Sequence, residues 1–333
     1  MASRVPLAGV NARTASLRCH HGPHPGNDRT VSAVTSVVVW TAGGLLIGLL
    51  SPPLLRLGMR RGVDAGVLLI TWANLVSLTV IAIALPAVSG LIHGCWLALG
   101  VEMPWWVGVL MGLLSGAAVV IAIIGGGWQI AGVTRHRRRV HARHTELAWL
   151  LTGTAPQAGR VLWLPTSEPH AYSLTGSPPL VVMSRGLRDC LDQAAVRAIR
   201  SHEDAHLQRR HHWFIAVAQA LSAGIAWLPL TRQSPALVRM LIELDADAHA
   251  ARIHGHRPLR RAIQTLRYAP APAVSLGIAS GSAQLRLERL SATSFSGTSH
   301  GSRSVVPGTA LLAATVIVSV ALALGAGLAS CAP

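Results

Sequence analysis

Long apolar runs alternate with arginine-rich stretches along this chain. A helix needs roughly 20 apolar residues to cross a bilayer, and four runs of about that length carry no internal charge. Tryptophans at both ends of the third run suit the boundary between lipid and water. The pattern therefore predicts a polytopic α-helical membrane protein. Three transmembrane helices are expected within residues 31–132, at 31–50, 66–91 and 105–131, and a fourth at 307–330.

The block of residues 133–306, between the third and fourth runs, has the length of one domain and a different pattern. Short strand-like runs at 161–164 and 180–183 are separated by a stretch rich in Gly, Ser and Pro. Two helix-like segments follow them, and the end of the block is rich in Ser, Thr and Gly, as in a flexible linker. The sequence thus predicts a mainly α protein with an α+β domain inserted between its third and fourth membrane helices.

Composition favours a membrane protein. Hydrophobic residues make up 51% of the chain and charged residues only 13%, which is less charge than a soluble domain of this length carries. Residues 1–30 hold four arginines and no continuous apolar core, so they predict a disordered tail rather than a signal peptide. The 4 cysteines lie far apart and suggest neither a disulfide framework nor a thiolate metal site.

Arginines cluster directly after the third apolar run, between residues 135 and 143. By the positive-inside rule, residues 133–306 are therefore expected on the cytoplasmic side of a bacterial-type plasma (inner) membrane, in a multi-pass protein. No stacking aromatic residues interleave with this cluster, so direct nucleic-acid binding is not expected. Anionic headgroups of the lipid bilayer are the simpler partner for these arginines.

A metal-binding motif lies in the first of the two helix-like segments, which Asp189 or Asp192 can cap. His202 and His206 are four residues apart, so both imidazoles lie on one face of a helix and can bind one metal ion. Glu203 follows the first histidine and projects beside that face. It is the expected general base, because it can take a proton from a metal-bound water.

A catalytic zinc ion needs three protein ligands, so a third must come from elsewhere in the chain. The second helix-like segment, expected to begin at Ser234 with Pro235, carries Glu243 and Asp247 four residues apart. We expect Glu243 to be the third zinc ligand and Asp247 to hydrogen-bond a histidine ring behind it. Asp245, between them, should point away.

The alternative to a metal site is an ordinary helix with polar residues, in which the two histidines are four residues apart by chance. The helical context and the acidic pair downstream both favour the metal site over this alternative. The remaining histidines, including His211 and His212, have no acidic or thiol partner at ligand spacing. They are expected to be solvated or interfacial.

The segments AVRAIRSHEDAHLQRRHH and ELDAD, set among these apolar runs, resemble the BlaR/MecR-type family of membrane zinc metallopeptidases. The resemblance covers roughly residues 31–330 and implies a gluzincin-like fold for the inserted domain. It implies Zn²⁺, with His202, His206 and Glu243 matching the family's ligands and Glu203 its catalytic glutamate. Family regulators cleave themselves or a DNA-binding repressor. The sequence ends without an extracellular penicillin-binding sensor domain, so antibiotic sensing is not expected.

The leading hypothesis is a membrane-embedded zinc endopeptidase that cleaves a cytoplasmic or membrane protein, with a repressor or the chain itself as substrate. An extended substrate is expected to add as a strand beside Leu180, Val181, Val182 and Met183. One alternative is a housekeeping quality-control protease resembling the membrane heat-shock peptidases. Another is a zinc-binding signalling protein without catalysis, which the presence of Glu203 argues against.

Overall fold

The computed structural model describes residues 25–97, 105–152, 157, 159–266 and 280–292. This part of the chain is mostly helical with one small sheet, which confirms a mainly α protein with an α+β portion. Residues 1–24 of the predicted tail and the predicted helix at 307–330 lie outside the described residues, whereas residues 25–30, which were expected to be disordered, form the start of the first helix. The elements, in chain order, are α1 (Pro25–Arg60), α2 (Ala65–Leu97), α3 (Trp105–Thr152), β1 (Val161–Leu164), β2 (Ala171–Leu174), β3 (Leu180–Ser184), α4 (Arg185–Cys190), α5 (Gln193–Gln208), α6 (His211–Gly224), α7 (Pro229–His254), α8 (His256–Leu266) and α9 (Ser280–Ala292).

Helices α1 and α2 form a hairpin that packs on α7. The turn uses Gly62 at positive φ, where glycine pays no steric penalty. Asp64 then caps α2 by accepting a hydrogen bond from the amide of Val67 at 3.1 Å. By length and composition, Thr41–Arg60 and Ala65–Ala82 could each cross a membrane. The arrangement with four spans stays a prediction.

Helix α3 continues without a break through the predicted boundary between membrane and cytoplasm. On its outward face, exposed apolar residues such as Ile121, Ile124 and Trp128 give way to exposed arginines from Arg135 onward. Its last turns pack Ala148 against one side of the sheet. The predicted third span and the predicted domain therefore share one helix.

The sheet has the order β1-β3-β2, with β1 parallel and β2 antiparallel to β3. The strands predicted at 161–164 and 180–183 are confirmed, and β2 was not predicted. All of β3 is buried and both of its edges are paired. The expectation that a substrate adds beside Leu180, Val181, Val182 and Met183 is therefore wrong, because their backbone groups already bond to the two flanking strands.

Helices α5, α6 and α7 pack against one another, and α5 also lies against β2 and β3 of the sheet. Asp192 caps α5 by accepting a hydrogen bond from the amide of Ala195 at 2.8 Å. Helix α7 begins at Pro229, five residues before the predicted Ser234. The Ser234 hydroxyl donates to the carbonyl of Leu230 at 2.8 Å and accepts the indole N–H of Trp72 at 2.8 Å, so it ties α7 to α2 rather than capping a helix.

Candidate metal centre

Helix α5 places the two motif histidines side by side. Their Nε2 atoms are 3.1 Å apart, as four-residue spacing on one helix face predicts. Both rings are held by packing, since His202 is buried and His206 is largely so. Glu203, which directly follows His202 in the chain, lines a cavity together with both histidines.

Helix α7 brings Glu243 to these rings. Its carboxylate oxygens lie 3.4 Å from His202 Nε2 and 3.5 Å from His206 Nε2, and the three candidate ligand atoms all fall within 4.8 Å of one another. Donor atoms about 2.1 Å from a tetrahedral zinc ion are about 3.4 Å from each other. The donor set therefore fits zinc in both chemistry and spacing.

Each candidate ligand histidine has a second contact that orients its ring. His202 Nδ1 lies 3.0 Å from Asp247 Oδ1, an ionic contact whose angle departs from that of a good hydrogen bond. His206 Nδ1 lies 2.9 Å from His211 Nδ1, and His211 Nε2 lies 3.0 Å from Asp245 Oδ2. Partners of this kind fix which nitrogen of an imidazole is left to bind a metal.

His211 does not behave as expected from the sequence. It is 2% exposed rather than solvated, and it links Asp245 to His206. Asp245 points away from the ligand pair, as expected, yet it reaches His206 through this intermediate ring. Arg210 adopts the left-handed conformation at φ 53° between α5 and α6, a turn that an arginine does not signal in the sequence.

Arg286 of α9 is the other residue that sequence reasoning missed. It is 3% exposed, and its guanidinium contacts Asp247 at 2.6 and 2.7 Å and Glu243 Oε2 at 2.9 Å. The sequence offers one indication: Arg286 is three residues after Ala283 and four before Leu290, a helical spacing that puts it on the buried face of α9. Arg286 thus fixes the third candidate ligand and its neighbour together.

The charges of the site are strongly coupled. Burial alone would lower the pKa of His202, but Asp247 and Glu243 outweigh it and raise that pKa to about 10. Burial lowers the pKa of His206 to about 3, so this ring stays neutral and able to donate a lone pair. Burial would raise the pKa of Glu243, yet Arg286 and both histidines hold it well below its usual range.

Glu203 differs from the other carboxylates of the centre. Burial raises its pKa above the ordinary value, although His202 acts in the opposite direction. A raised pKa brings a carboxylate closer to the range in which it accepts and returns a proton near neutral pH. This is the behaviour required of a general base.

A cavity of about 550 Å³ opens beside these residues. It lies between α5 and α6 on one side and β2 and α3 on the other, and Ala171 to Leu174 of β2 form part of its wall. Within the described residues, β2 pairs only with β3, so its other edge is open toward the cavity. Ser173 of that strand lines the cavity together with Glu203 and acts to lower the pKa of its carboxyl.

Residues 134–239 match the model of Peptidase family M48. The matched segment contains the sheet, the whole of α5 with its histidine pair, and the first part of α7, and it ends four residues before Glu243. No curated protein and no solved structure matches the chain. The match, together with a His-His-Glu donor set of zinc spacing, supports the M48 zinc metallopeptidase family for this chain.

Proposed function

We propose that this protein is a membrane-embedded zinc endopeptidase with His202, His206 and Glu243 as ligands and Glu203 as general base. The observation that carries the proposal is the donor triangle on α5 and α7, with the carboxylate of Glu203 and an open strand edge lining the same cavity. The M48 match over residues 134–239 supports it independently.

The chemistry is divided among these residues. When bound, zinc supplies a Lewis acid that polarises a carbonyl and lowers the pKa of water. Glu203 takes the proton of the attacking water and returns it to the nitrogen of the departing amine. Asp247 and His211 hold the two histidine rings in orientation, and Arg286 holds Glu243.

The substrate is an extended polypeptide that adds as a strand to the free edge of β2. Backbone groups of Ala171–Leu174 on that edge would pair with the substrate, which places a peptide bond beside Glu203. This replaces the position beside β3 that the sequence indicated. Backbone hydrogen bonds between β2 and the substrate do not depend on the substrate's side chains. Every second side chain of the substrate would point into the cavity, so the shape of the cavity would set which substrate sequences are preferred.

The protein is proposed to lie in a plasma membrane with its catalytic side facing the cytoplasm. Two apolar stretches of α1 and α2 and the apolar outward face of α3 favour the membrane, and the exposed arginines after Thr134 favour a cytoplasmic boundary. A regulatory role of the BlaR type, with a repressor as substrate, follows from the sequence resemblance.

A housekeeping role on membrane proteins is the second candidate, and one observation favours it. The cavity continues along α3 to Gln129 and Gly132, beside the exposed apolar face that carries Trp128. A polypeptide leaving the bilayer along α3 would therefore meet the cavity directly. Comparing the rates at which the chain cleaves a model membrane protein and a soluble repressor separates the two roles. Faster cleavage of the membrane protein favours the housekeeping role.

Zinc content and cleavage of casein by the detergent-purified chain test the proposal. We expect near one zinc per chain, lost in a His206→Ala, Glu243→Ala double variant. Glu203→Gln should keep the zinc and lose cleavage by about a hundredfold or more. The matched control is Asp204→Asn, one residue away, whose carboxylate pairs with Arg200 and does not line the cavity. Absence of zinc from the unmodified chain would sink the proposal, and cleavage by Glu203→Gln would sink the role of the base.

A further inference from the structure

A second groove lies at the opposite edge of the sheet from the metal centre. Its floor contains Val161 and Trp163 of β1, and one wall is the first half of α5. It has a volume of about 810 Å³. Four arginines line it, and we call it the arginine groove: Arg160, Arg188, Arg197 and Arg200.

The arginine groove concentrates positive charge without compensation from its own walls. Arg160 and Arg197 are exposed and pair with no carboxylate among the described residues. Arg188 stacks on Trp163, with its guanidinium carbon 3.6 Å from the ring centre. Only Arg200 has an acidic neighbour, Asp204 at 3.7 Å, and no Asp or Glu of the described chain lines the groove. The complementary ligand is therefore an anion.

The strand beside this groove has a free edge. Strand β1 pairs with β3 on one side, and the described residues place no strand on its other side. Unpaired N–H and C=O groups of an edge strand accept an extended polypeptide as a further strand. The one aromatic ring in the groove, Trp163, is already covered by Arg188, so no stacking platform is left for nucleic-acid bases.

We propose that the arginine groove is an exosite that binds an acidic, extended segment of the protein substrate as a strand beside β1. This inference rests on the proposed peptidase function, and it names a recognition site separate from the metal centre. The two open edges of the sheet, β1 and β2, are two strand spacings apart, about 10 Å. Arg197 and Arg200 lie on the same helix as His202, on its other face. A substrate held at β1 is thus held next to the edge that leads to Glu203.

Binding without cleavage tests the exosite. The full chain carrying Glu203→Gln, purified in detergent, is titrated into a fluorescein-labelled ten-residue peptide of alternating Glu and Val, and fluorescence anisotropy is read at low salt. We expect saturable binding that weakens about tenfold when Arg160→Gln and Arg197→Gln are added. The matched control pair is Arg239→Gln with Arg252→Gln on α7, two exposed arginines outside the groove, which should leave binding unchanged.

Two further probes decide the mode of binding. The same peptide with N-methyl groups on alternate backbone nitrogens keeps its charge but cannot form the ladder, so it should bind at least about tenfold more weakly. Equal binding of the N-methylated peptide overturns strand addition. Tighter binding of a single-stranded oligonucleotide that displaces the peptide overturns the polypeptide ligand, and no binding at all overturns the exosite.

The two proposals fail in different ways. If the unmodified chain contains no zinc or does not cleave casein, the peptidase proposal is wrong. The anisotropy measurement uses the inactive Glu203→Gln chain, so its result does not depend on cleavage. In the active background, Arg160→Gln with Arg197→Gln should keep zinc content. It should slow cleavage of a casein variant that carries the Glu-Val segment as a fusion, whereas the control pair Arg239→Gln with Arg252→Gln should not.

Discussion

Replacing Arg286 should destabilise the metal-free protein more than the zinc-loaded protein. Arg286 is buried and neutralises both Glu243 and Asp247. Removing one partner of a buried ion pair costs about 3–5 kcal/mol, because the remaining charge is left without compensation. In Arg286→Gln without metal, Glu243 and Asp247 are left to share the single protonated ring of His202.

Zinc changes this balance because it takes over the compensation of Glu243. Only Asp247 then loses a partner, and it still contacts His202. We therefore expect Arg286→Gln to cost about half as much with zinc bound, roughly 2 kcal/mol. The stabilisation that zinc confers on folding should accordingly be larger in the variant than in the unmodified chain.

Thermal unfolding of the detergent-purified proteins tests this, with the unmodified chain and Arg286→Gln each measured once with zinc and once with a chelator. At about 2–4 °C per kcal/mol, the variant should unfold roughly 10 °C lower in chelator and about half that lower with zinc. The control is Arg261→Gln, which removes an exposed pair with Asp192 and should change little. Equal losses in the two conditions, or a loss below about 1 kcal/mol in chelator, would refute the reasoning.

Three further outcomes follow from the site. His211→Ala should weaken zinc binding about tenfold to a hundredfold in a chelator competition, because His206 loses its orienting contact; unchanged affinity would contradict that role. The chelated chain should lose stability as pH rises from about 6.5 to about 10, because folding holds a proton on His202 that the unfolded chain releases, and His202→Gln should flatten this slope. Arg210→Val should cost about 1–2 kcal/mol more than Arg210→Gly in thermal unfolding, because a β-branched residue resists φ 53°; equal costs would argue against strain there.

Periodicity within single helices was sufficient to predict the candidate ligands. His202 with His206, and Glu243 with Asp247, are each four residues apart, and the helix repeat alone turns them to one side. The pairing of the two helices followed from the ligand count of zinc. These inferences depend on local geometry and on the metal, and neither requires knowledge of the tertiary fold.

Residues that depend on contacts between distant segments could not be predicted in this way. Arg286 is 39 residues from Asp247, and no spacing rule links α9 to α7. The open edge at β2 depends on strand order, since β3 is third in sequence yet central in the sheet. The role of Ser234 likewise depends on Trp72, 162 residues earlier in the chain, whose indole N–H it accepts from within α7.

Because α3 is one unbroken helix, a tilt at one of its ends displaces the other end. Its 48 residues extend about 70 Å, and Gly125 and Gly126 pack closely against α6 near the middle, where a pivot is possible. About 33 Å separates Gly126 from Ala148 along the axis, so a tilt of about 5° in the apolar half moves the end under the sheet by about 3 Å. If the apolar half of α3 lies in a bilayer, as proposed, bilayer thickness or a partner bound there would change the width of the cavity that α3 borders. Distances between spin labels at Ala142 and Gln208, measured in thin and thick bilayers, would register that displacement.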